Sequence, residues 1–319
     1  MSAAATSVIL SEGYAGLQAQ ALGLAEAAGL HPELRVLAPR APWRWVAASL
    51  WPLPLAAVSD AVRAPLPELV IGCGGVAAAV GAALRRGGRP VVQVQHPRMD
   101  LHRFDLIVVN RHDELTGPNV VVTRTALHRV TPARLAVAAD AWRPRLAHLQ
   151  RPLVAVLVGG SNGRFRLDAA VARELARQLA AMMRTDRVGV AVTPSRRTDP
   201  AVIRVLAQEL APLGADVWDG NGDNPYFAML ALADAIVVTV DSISMVSEAV
   251  ATKAPVMLAK LPGRSRRNSL FTKGLMREGR VREFAGRLEL WPVKPLDDTA
   301  EAAAEMCRRL GLPFPDVPC

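Results

Sequence analysis

The chain has 319 residues, of which 51% are apolar, and this length and composition suit two α/β domains with sizeable cores. The formal charge is +9, but the basic residues are spread along the chain, which argues against an arm that binds nucleic acid. Cys73, Cys307 and Cys319 lie far apart and form no CxxC motif. We therefore expect reduced thiols in a cytoplasmic protein that does not bind nucleic acid.

The first predicted strand, residues 7–10, is followed by a turn with Gly13 and Gly16 and by a helix that contains Gln20. Such a turn is typical of loops that cradle phosphates or substrates, because backbone N–H groups at a helix start point at the ligand. The chain has no full GxGxxG pattern here. The loop is therefore a candidate binding element only in combination with other motifs.

Residues 41–58 combine tryptophans with basic and apolar residues. The tryptophans are Trp43, Trp45 and Trp51, and Arg40 and Arg44 lie beside them. Tryptophan and arginine next to apolar residues are typical of a membrane interface. The apolar run is broken by prolines and is shorter than the roughly 20 residues that span a bilayer. Two interpretations stay open, and a helical segment packed on the first sheet is favoured over a membrane contact.

Several predicted strands of the first half end in polar residues. The strands at 90–98 and 103–113 end near His96, His112 and Asp113, and Asp100 lies between the two strands. Because parallel strands end at one edge of a sheet, these side chains are expected to lie close together. A histidine at a strand end is more often structural than catalytic. No HxH or HxxxH spacing occurs, so no metal site is predicted.

A stretch rich in alanine and arginine, residues 131–150, separates two halves that each begin with a strand, a glycine-bearing loop and a helix. The simplest architecture is α/β, with two Rossmann-like domains that face one cleft. The predicted domains are residues 1–148 and 149–296. Residues 297–319 are predicted to form a helix and tail that pack back on the N-terminal domain.

The second half opens with a strand that runs into Gly159, Gly160, Ser161 and Asn162. Glycines let backbone N–H groups approach an anion closely, although no GK[ST] follows and the loop is not a P-loop. A later strand runs into a turn with Ser195, Arg196 and Arg197, which could bind a phosphate. A solvated basic turn explains that triplet equally well.

Residues 219–260 follow the pattern turn, helix, strand, turn, helix, strand, which is a βαβ unit. Residues 235–240 form an apolar, β-branched run that is typical of a strand covered on both faces. Ligands of such units bind at the carboxyl ends of the strands, against helix N-termini. The residues at that position are Asp241, Ser242, Ser244, Met245, Ser247 and Glu248. They predict a nucleotide or anion site, and the alternative is an ordinary crossover with a capped helix.

Residues 262–287 contain eight basic residues and form the most basic segment of the chain. The segment either faces phosphates or lipid, or is a solvated helix. A last helix is predicted within residues 297–310, and the tail that follows is rich in proline.

Several of these motifs occur together in one known family. They are GLQAQALGLAEA, VIGCGG, QVQHPRMDLHRFDLIVVNRHD, LVGGSNGRFRL and DGNGDNPYFAMLALADAIVVTVDSISMVSEA, in this order between residues 16 and 289. In these segments the chain resembles bacterial members of the mitochondrial-fission family that is named after the plant elongated-mitochondria factor. The resemblance implies a GT-B-like fold, with an acceptor on the first domain, beside the loop of Gly13, Gly16 and Gln20, and a nucleotide sugar on the second.

LVGGSNG and residues 241–258 are also similar to two segments of the enzyme that adds N-acetylglucosamine to the lipid-linked peptidoglycan precursor. The resemblance implies that Glu248 bonds ribose hydroxyls and that donor phosphates lie near Gly160, Ser161 and the helix start. The nucleotide sugar would be a co-substrate, and no bound cofactor is expected.

Two functions are therefore expected, and the sequence does not decide between them. The first is glycosyl transfer without a metal, for which the candidates for the base are His96, Asp100, Asp113 and His112. The second is a non-catalytic adaptor that contacts the membrane through Trp43, Trp45, Trp51 and residues 262–287. Its location would be cytoplasmic, with peripheral attachment to the inner membrane left open, and no oligomeric state is predicted.

Overall fold

The computed structural model of the protein describes residues 6–58, 62 and 65–314. The chain divides into two compact units, of which the first comprises residues 1–129 and 297–319 and the second comprises residues 130–296. Cys73 and Cys307 are buried, and burial raises the pKa of the Cys307 thiol. Cys319, the third predicted thiol, lies outside the described residues.

The described residues form twelve β-strands. They are β1 (Ser7–Ser11), β2 (Glu33–Val36), β3 (Leu69–Cys73), β4 (Val91–Val94), β5 (Leu106–Asn110), β6 (Val120–Thr123), β7 (Leu153–Val158), β8 (Gly189–Pro194), β9 (Asp216–Val217), β10 (Ala235–Thr239), β11 (Val256–Ala259) and β12 (Val281–Glu283). The longer ones are continuous apolar runs, since both faces of a parallel sheet are covered.

The helices complete the α/β pattern. They are α1 (Ala15–Ala27), α2 (Pro54–Ala57), α3 (Gly75–Arg86), α4 (Pro132–Leu146), α5 (Ala169–Asp186), α6 (Pro200–Leu210), α7 (Tyr226–Leu232), α8 (Ile243–Val250), α9 (Arg266–Arg277) and α10 (Thr299–Leu310). Side-chain oxygens of Thr131, Asp168, Asp199, Ser242 and Ser265 accept backbone N–H bonds where α4, α5, α6, α8 and α9 begin. These caps fix the helix starts, because the first N–H groups of a helix have no partner within it.

The described part of the first unit contains one parallel sheet of six strands in the order β2-β1-β3-β4-β5-β6. Leu24 of α1 and Met306 of α10 pack on one face, and Val80 of α3 packs on the other. The chain runs from β1 out to β2 and then returns to β3. The topological switch point, where ligands of α/β sheets bind, therefore lies between β1 and β3.

The second unit has its own parallel sheet, in the order β9-β8-β7-β10-β11-β12. Counted from β7, this is the strand order 3-2-1-4-5-6 of the Rossmann fold, and its switch point lies between β7 and β10. Helices α5 and α6 cover one face, while α4, α7 and α8 cover the other. The predicted α/β class with two Rossmann-like domains is confirmed.

Helix α4 belongs to the second unit by its packing. It lies against α7, where Ala139 and Leu146 share a core with Met229. The chain therefore leaves the first unit before α4, whereas the predicted boundary lies after this helix. Pro132 and Pro144 suggest a linker, but Pro132 opens the helix, where no N–H partner is needed, and Pro144 lies near its end.

The tryptophans between β2 and β3 differ in their surroundings. Trp51 is buried in the core of the first unit, its indole N–H donates to the Val46 carbonyl at 3.0 Å, and the Trp43 ring lies 6.5 Å away. Trp45 is exposed, and Trp43 is half-buried. Trp51 is therefore a core residue, which corrects its assignment to a membrane-facing surface. The segment folds as two short 3₁₀ turns followed by the four-residue helix α2, and not as one continuous helix.

The basic segment 262–287 is partly structural. Arg280 is buried and donates to the carbonyls of Val250, Thr252 and Ala254, which lie at the end of α8. Burial lowers the pKa of this guanidinium to about 10, so it stays charged. Other basic residues pair with acidic ones, Arg282 with Glu289 and Arg287 with Asp186. The exposed charge of the segment is therefore smaller than its composition suggests.

Among the described residues, no helix is long and apolar enough to cross a membrane. The same residues contain no group of three or more His, Cys, Asp or Glu side chains placed to hold a metal ion.

Candidate functional site

The candidate site lies at the carboxyl ends of β7 and β10, at the switch point of the second unit. The Gly159 N–H donates to Thr239 Oγ1 at 2.8 Å, and the Gly160 N–H donates to Asp241 Oδ2 at 3.1 Å. The Thr239 hydroxyl donates in turn to Asp241 Oδ1 at 2.7 Å. The loops that follow the two strands are thus joined by hydrogen bonds to one buried carboxylate.

Both glycines are needed for this close approach. A Cβ on Gly159 would lie 2.2 Å from Asp241 Oδ1, and a Cβ on Gly160 would lie 2.3 Å from the Arg197 carbonyl oxygen. A residue with a side chain does not fit at such distances. The anion that the predicted glycine loop approaches is thus the carboxylate of Asp241, and binding of an external anion there stays a prediction.

Arg197 compensates the charge of Asp241. Its Nη2 lies 2.9 Å from Asp241 Oδ2, and its Nη1 donates to the Gly160 carbonyl at 3.3 Å. The Asp241 side chain is fully buried, whereas 44% of the Arg197 side chain is exposed. Since Arg196 beside it is also exposed, this turn presents two guanidinium groups next to the buried carboxylate of Asp241.

Ser195 and Thr198 fix the turn that carries the arginines. The Ser195 N–H donates to Thr198 Oγ1 at 2.9 Å, and the Arg197 N–H donates to Ser195 Oγ at 3.2 Å. The Thr198 hydroxyl donates to the Val158 carbonyl at 3.1 Å, which attaches the turn to the end of β7. The side chain of Ser195 therefore serves its own turn in this structure.

Ser161 and Asn162 likewise shape the loop in which they lie. Ser161 Oγ accepts from the Leu167 N–H at 2.8 Å and donates to the carbonyl of the same residue at 3.1 Å. Asn162 Oδ1 accepts from the N–H groups of Arg164 and Phe165, both at 2.9 Å. The side chains stabilise the loop whether or not a ligand is bound.

Helix α8 begins directly at the site. Ser242 caps it by accepting the Met245 N–H at 3.3 Å. Ser244 is half-buried in the first turn, while Met245 and Ser247 are buried. The N-terminal end of a helix carries partial positive charge and N–H groups without helical partners. The start of α8 therefore adds to the positive character of this edge.

Glu248 is a buried carboxyl group in the second turn of α8, with only 9% of the residue exposed. The Tyr226 hydroxyl donates a hydrogen bond to its Oε2. Burial raises the pKa of Glu248 to about 7, against the lowering effect of that hydrogen bond. Burial and the nearby carboxylate raise the pKa of Tyr226, so the phenol stays a donor. Glu248 is thus close to half ionised at neutral pH and can accept hydrogen bonds from a ligand hydroxyl.

Three contributors to the site are absent from the sequence prediction: Thr198, Tyr226 and Thr239. Tyr226 reaches Glu248 across 22 residues of chain, and Thr239 reaches Gly159 across 80 residues. The only local sign is that Thr239 is a polar residue inside an otherwise apolar run.

Two of the predicted bases follow β4 in the first unit. His96 is half-buried, and its Nδ1 accepts the Arg98 N–H at 2.9 Å. Asp100 is exposed and accepts the His102 N–H at 3.1 Å. Each therefore has a local structural bond as well as access to solvent.

The other two predicted bases follow β5, at the same edge of the sheet. His112 is buried, and its Nε2 lies 3.9 Å from Asp113 Oδ1. Asp113 Oδ2 accepts the Asn110 N–H at 3.2 Å and so fixes the short turn after the strand. A role in proton transfer stays a prediction for all four residues.

The predicted acceptor-side loop lies at the start of α1. Gly13 has a φ of +83°, and its N–H donates to Ser11 Oγ at 3.2 Å. Gly16 lies inside the first turn of α1, since the helix begins at Ala15. Gln20 is buried and donates to the Gly16 carbonyl at 3.0 Å. The side-chain amide of Gln20 thus donates a hydrogen bond within its own helix.

The chain matches one known protein family over most of its length. Residues 15–310 match the family described as Mitochondrial fission ELM1. The chain belongs to the mitochondrial fission ELM1 family. A relative in this family, the mitochondrial fission protein ELM1 of Arabidopsis thaliana, is 35% identical over 274 residues, which cover 76% of this chain and 64% of that protein. The chain thus spans less than two thirds of the length of its ELM1 relative, and the predicted family resemblance is confirmed.

Solved structures show which fold this ELM1-family chain shares. The UDP-GlcNAc 2-epimerase of Methanocaldococcus jannaschii superposes with a TM-score of 0.58 at 11% identity, over 96% of this chain and 99% of that chain. MnaA of S. aureus, in a structure with UDP, superposes with a TM-score of 0.56 at 13% identity, over 98% and 100%. At these identities the likeness shows the fold alone, and it supports the GT-B-like assignment.

Proposed function

We propose that the second unit binds a nucleotide sugar, with its nucleoside diphosphate at the switch point between β7 and β10. The observation that carries the proposal is Glu248. A buried carboxyl whose pKa is raised by burial lowers stability at neutral pH, and such groups are concentrated at functional sites. The two hydroxyls of a ribose would donate to this carboxylate.

The phosphates of the nucleotide would meet positive charge beside Glu248. Arg196 and the exposed part of Arg197 supply guanidinium groups, and the capped start of α8 supplies a helix dipole. A protein of the same fold, S. aureus MnaA, has been solved with UDP. That structure supports a uracil nucleotide as the first ligand to test.

The reaction that we propose for the bound nucleotide sugar is transfer of its sugar to an acceptor hydroxyl. The acceptor oxygen would form a bond to the anomeric carbon while the bond to the diphosphate oxygen breaks. A base would take the hydroxyl proton, and the arginines and the start of α8 would stabilise the departing diphosphate without a metal.

One observation favours the alternative, a non-catalytic adaptor. The N–H groups of Gly159 and Gly160 are already bonded to Thr239 and Asp241, and Tyr226 is already bonded to Glu248. An adaptor that kept the fold without turnover would need no ligand at these groups.

Calorimetric titration of the full chain with UDP, GDP, ADP and their sugar derivatives distinguishes the two functions. The matched variants are Glu248→Gln, which keeps the shape of the side chain, and Glu209→Gln, which changes an exposed carboxylate at the far end of α6. We expect one nucleotide to bind the native chain and the Glu209 variant equally. It should bind the Glu248 variant more weakly, by a factor of about ten or more.

The pH dependence adds a second readout to the titration. Since ionised Glu248 accepts ribose hydroxyls best, affinity should rise from pH 6 to pH 8 in the native chain and stay flat in Glu248→Gln. Equal affinity of native chain and Glu248→Gln would remove the ribose role. Failure of every nucleotide to bind would exclude the transferase and leave the adaptor.

A further inference from the structure

Residues 40–57 form a closed loop that extends from the first unit. An antiparallel bridge joins Pro39 to Val58 at the base of the loop, and the Arg40 N–H donates to the Ala57 carbonyl at 2.8 Å. Ala57 and Val58 are buried. The two ends of the loop are therefore fixed to the body of the unit.

The interior of the loop is held by Trp51. Its side chain is buried in the first-unit core, and its indole N–H donates to the Val46 carbonyl at 3.0 Å. Trp43 meets it edge to face at a centroid distance of 6.5 Å. This bond and this contact hold residues 43–46 against Trp51 and so fix the path of the loop.

Large apolar side chains of the same loop point into solvent. Trp45 is 69% exposed, Leu50 is 72% exposed and Leu53 is 67% exposed. Of the thirteen large apolar residues that are exposed among the described ones, five lie in this loop. Single exposed apolar residues are ordinary, whereas such a concentration marks a surface that is covered by another phase or molecule.

The charge of the loop indicates what covers it. Arg40 and Arg44 are exposed, and the Arg44 guanidinium stacks 4.2 Å from the centre of the Trp45 ring. No aspartate or glutamate occurs from residue 34 to residue 59. A tryptophan with arginines beside it, next to leucines and without acidic residues, complements the boundary between anionic headgroups and acyl chains.

We propose that the loop of residues 40–57 docks the protein on a membrane that contains anionic phospholipid. Trp45, Leu50 and Leu53 would enter the headgroup–acyl boundary, and Arg44 would contact lipid phosphates. This contact is peripheral and independent of the nucleotide site, so each proposal can fail without the other.

Sedimentation of the full chain with vesicles tests the docking. Vesicles of phosphatidylcholine alone are compared with vesicles that contain phosphatidylglycerol as well. We expect binding to the second kind only, weakened by salt. The double substitution Leu50→Ser with Leu53→Ser should lower the partition coefficient about tenfold or more, because two apolar side chains no longer leave water. Arg44→Gln should also lower it and flatten the salt dependence.

A matched control excludes a general loss of surface hydrophobicity. Val137 on α4 is 72% exposed, as Leu50 is, and lies in the second unit. Val137→Ser should leave vesicle binding unchanged. Equal thermal melting of all variants would show that they fold, as expected for exposed positions.

Insertion of the loop has a direct optical readout. Phospholipids with brominated acyl chains should quench the fluorescence of the native chain more than that of Trp45→Phe. Absence of vesicle binding, or equal binding by native chain and the double leucine variant, would overturn the proposal. A dimer in solution that the double leucine variant dissociates, without vesicle binding, would instead identify the loop as an interface between two copies.

Discussion

The two switch points of the molecule each contain a carboxylate that bridges two loops, but the surroundings of the two carboxylates differ. In the first unit, Glu12 follows β1 and accepts the Val76 N–H at 2.6 Å, where α3 begins. In the second unit, Asp241 follows β10 and accepts the Gly160 N–H at 3.1 Å. Glu12 is half-buried, whereas the Asp241 side chain is fully buried and also bonded to Thr239 and Arg197.

The two carboxylates differ in how far they are buried and in what replaces their hydration. A half-buried carboxylate at a helix start acts as a cap, and a cap contributes modestly. A buried carboxylate loses its hydration and is tolerated only when hydrogen bonds and a counter-charge replace it. The second unit meets that requirement at Asp241 and adds a second buried carboxyl, Glu248, a few residues later. The loops of the second switch point are therefore joined by several hydrogen bonds that centre on the buried carboxylate of Asp241.

The largest expected effect is the loss of the buried carboxylate of Asp241. Asp241→Asn removes the counter-charge of Arg197 and replaces one acceptor of the network with a donor. The ion pair itself adds little, because 44% of the Arg197 side chain is exposed and stays hydrated. Three hydrogen bonds that Asp241 accepts are lost or weakened, and at about 1 kcal/mol each we expect a cost of about 3 kcal/mol of unfolding free energy. Denaturant unfolding at pH 7, followed by circular dichroism, measures it. Asp223→Asn is the control, since that exposed residue forms only a surface ion pair with Arg145 at 3.3 Å and should change stability by about 0.5 kcal/mol or less.

If Asp241→Asn behaves like its control, the network around Asp241 contributes nothing beyond a cap. The contrast between the two switch points would then be one of geometry alone.

Glu248→Gln should stabilise the protein, in the opposite direction from Asp241→Asn. The folded pKa of Glu248, about 7, lies above its usual value of 4.5, so the folded state holds this proton more tightly than the unfolded state does. The stabilising effect of that proton is complete below pH 4.5 and is lost as pH rises through 7. At pH 8 the glutamine variant should therefore be more stable than the native chain by up to about 3 kcal/mol.

Unfolding curves of the Glu248→Gln variant and the native chain at pH 4.5, 6 and 8 check the direction. The difference should be near zero at pH 4.5 and grow with pH. A constant difference across this range would mean that Glu248 is ionised with an ordinary pKa.

The glycine loop offers a third comparison, within the second unit itself. Gly160→Ala places a Cβ 2.3 Å from the Arg197 carbonyl oxygen, whereas nothing lies within 4 Å of a Cβ on Gly163. We expect Gly160→Ala to lower the unfolding free energy by about 2 kcal/mol, because backbone must shift. Gly163→Ala should cause no measurable loss of stability. Thermal melting curves of the two variants and the native chain measure the difference. Equal melting temperatures would contradict the close approach.

The elements of both units follow from the sequence because their signals are local. Apolar runs such as 235–240 predict buried strands, and capped periodic stretches predict helices. Helix α4 is assigned to the wrong side of the predicted boundary because its two prolines resemble a linker, and only its packing against α7 shows its unit. Its place depends on contacts with residues some 90 positions later, which no local pattern encodes.

The candidate site could be predicted only in part, for the same reason. Gly160, Arg197 and Asp241 are recognisable in the sequence as polar or glycine residues just after strands, and Glu248 as an acidic residue in the helix that follows. Their hydrogen-bond partners cannot be read from the sequence, because these partners come from other parts of the chain. The sequence therefore indicates a phosphate loop, while the structure shows that Asp241 already accepts one of its N–H groups.

The smallest effect is expected at the first switch point. Glu12→Ala removes the acceptor of the Val76 N–H and should cost about 1 kcal/mol, the usual contribution of a helix cap. Glu12→Gln keeps an acceptor oxygen at the same place and should recover at least half of that loss. Denaturant unfolding under the conditions used for Asp241→Asn allows the losses of unfolding free energy at the two positions to be compared directly. A loss at Glu12 as large as that at Asp241 would show that two bridges with different surroundings contribute alike, and burial of the charge would no longer explain the second.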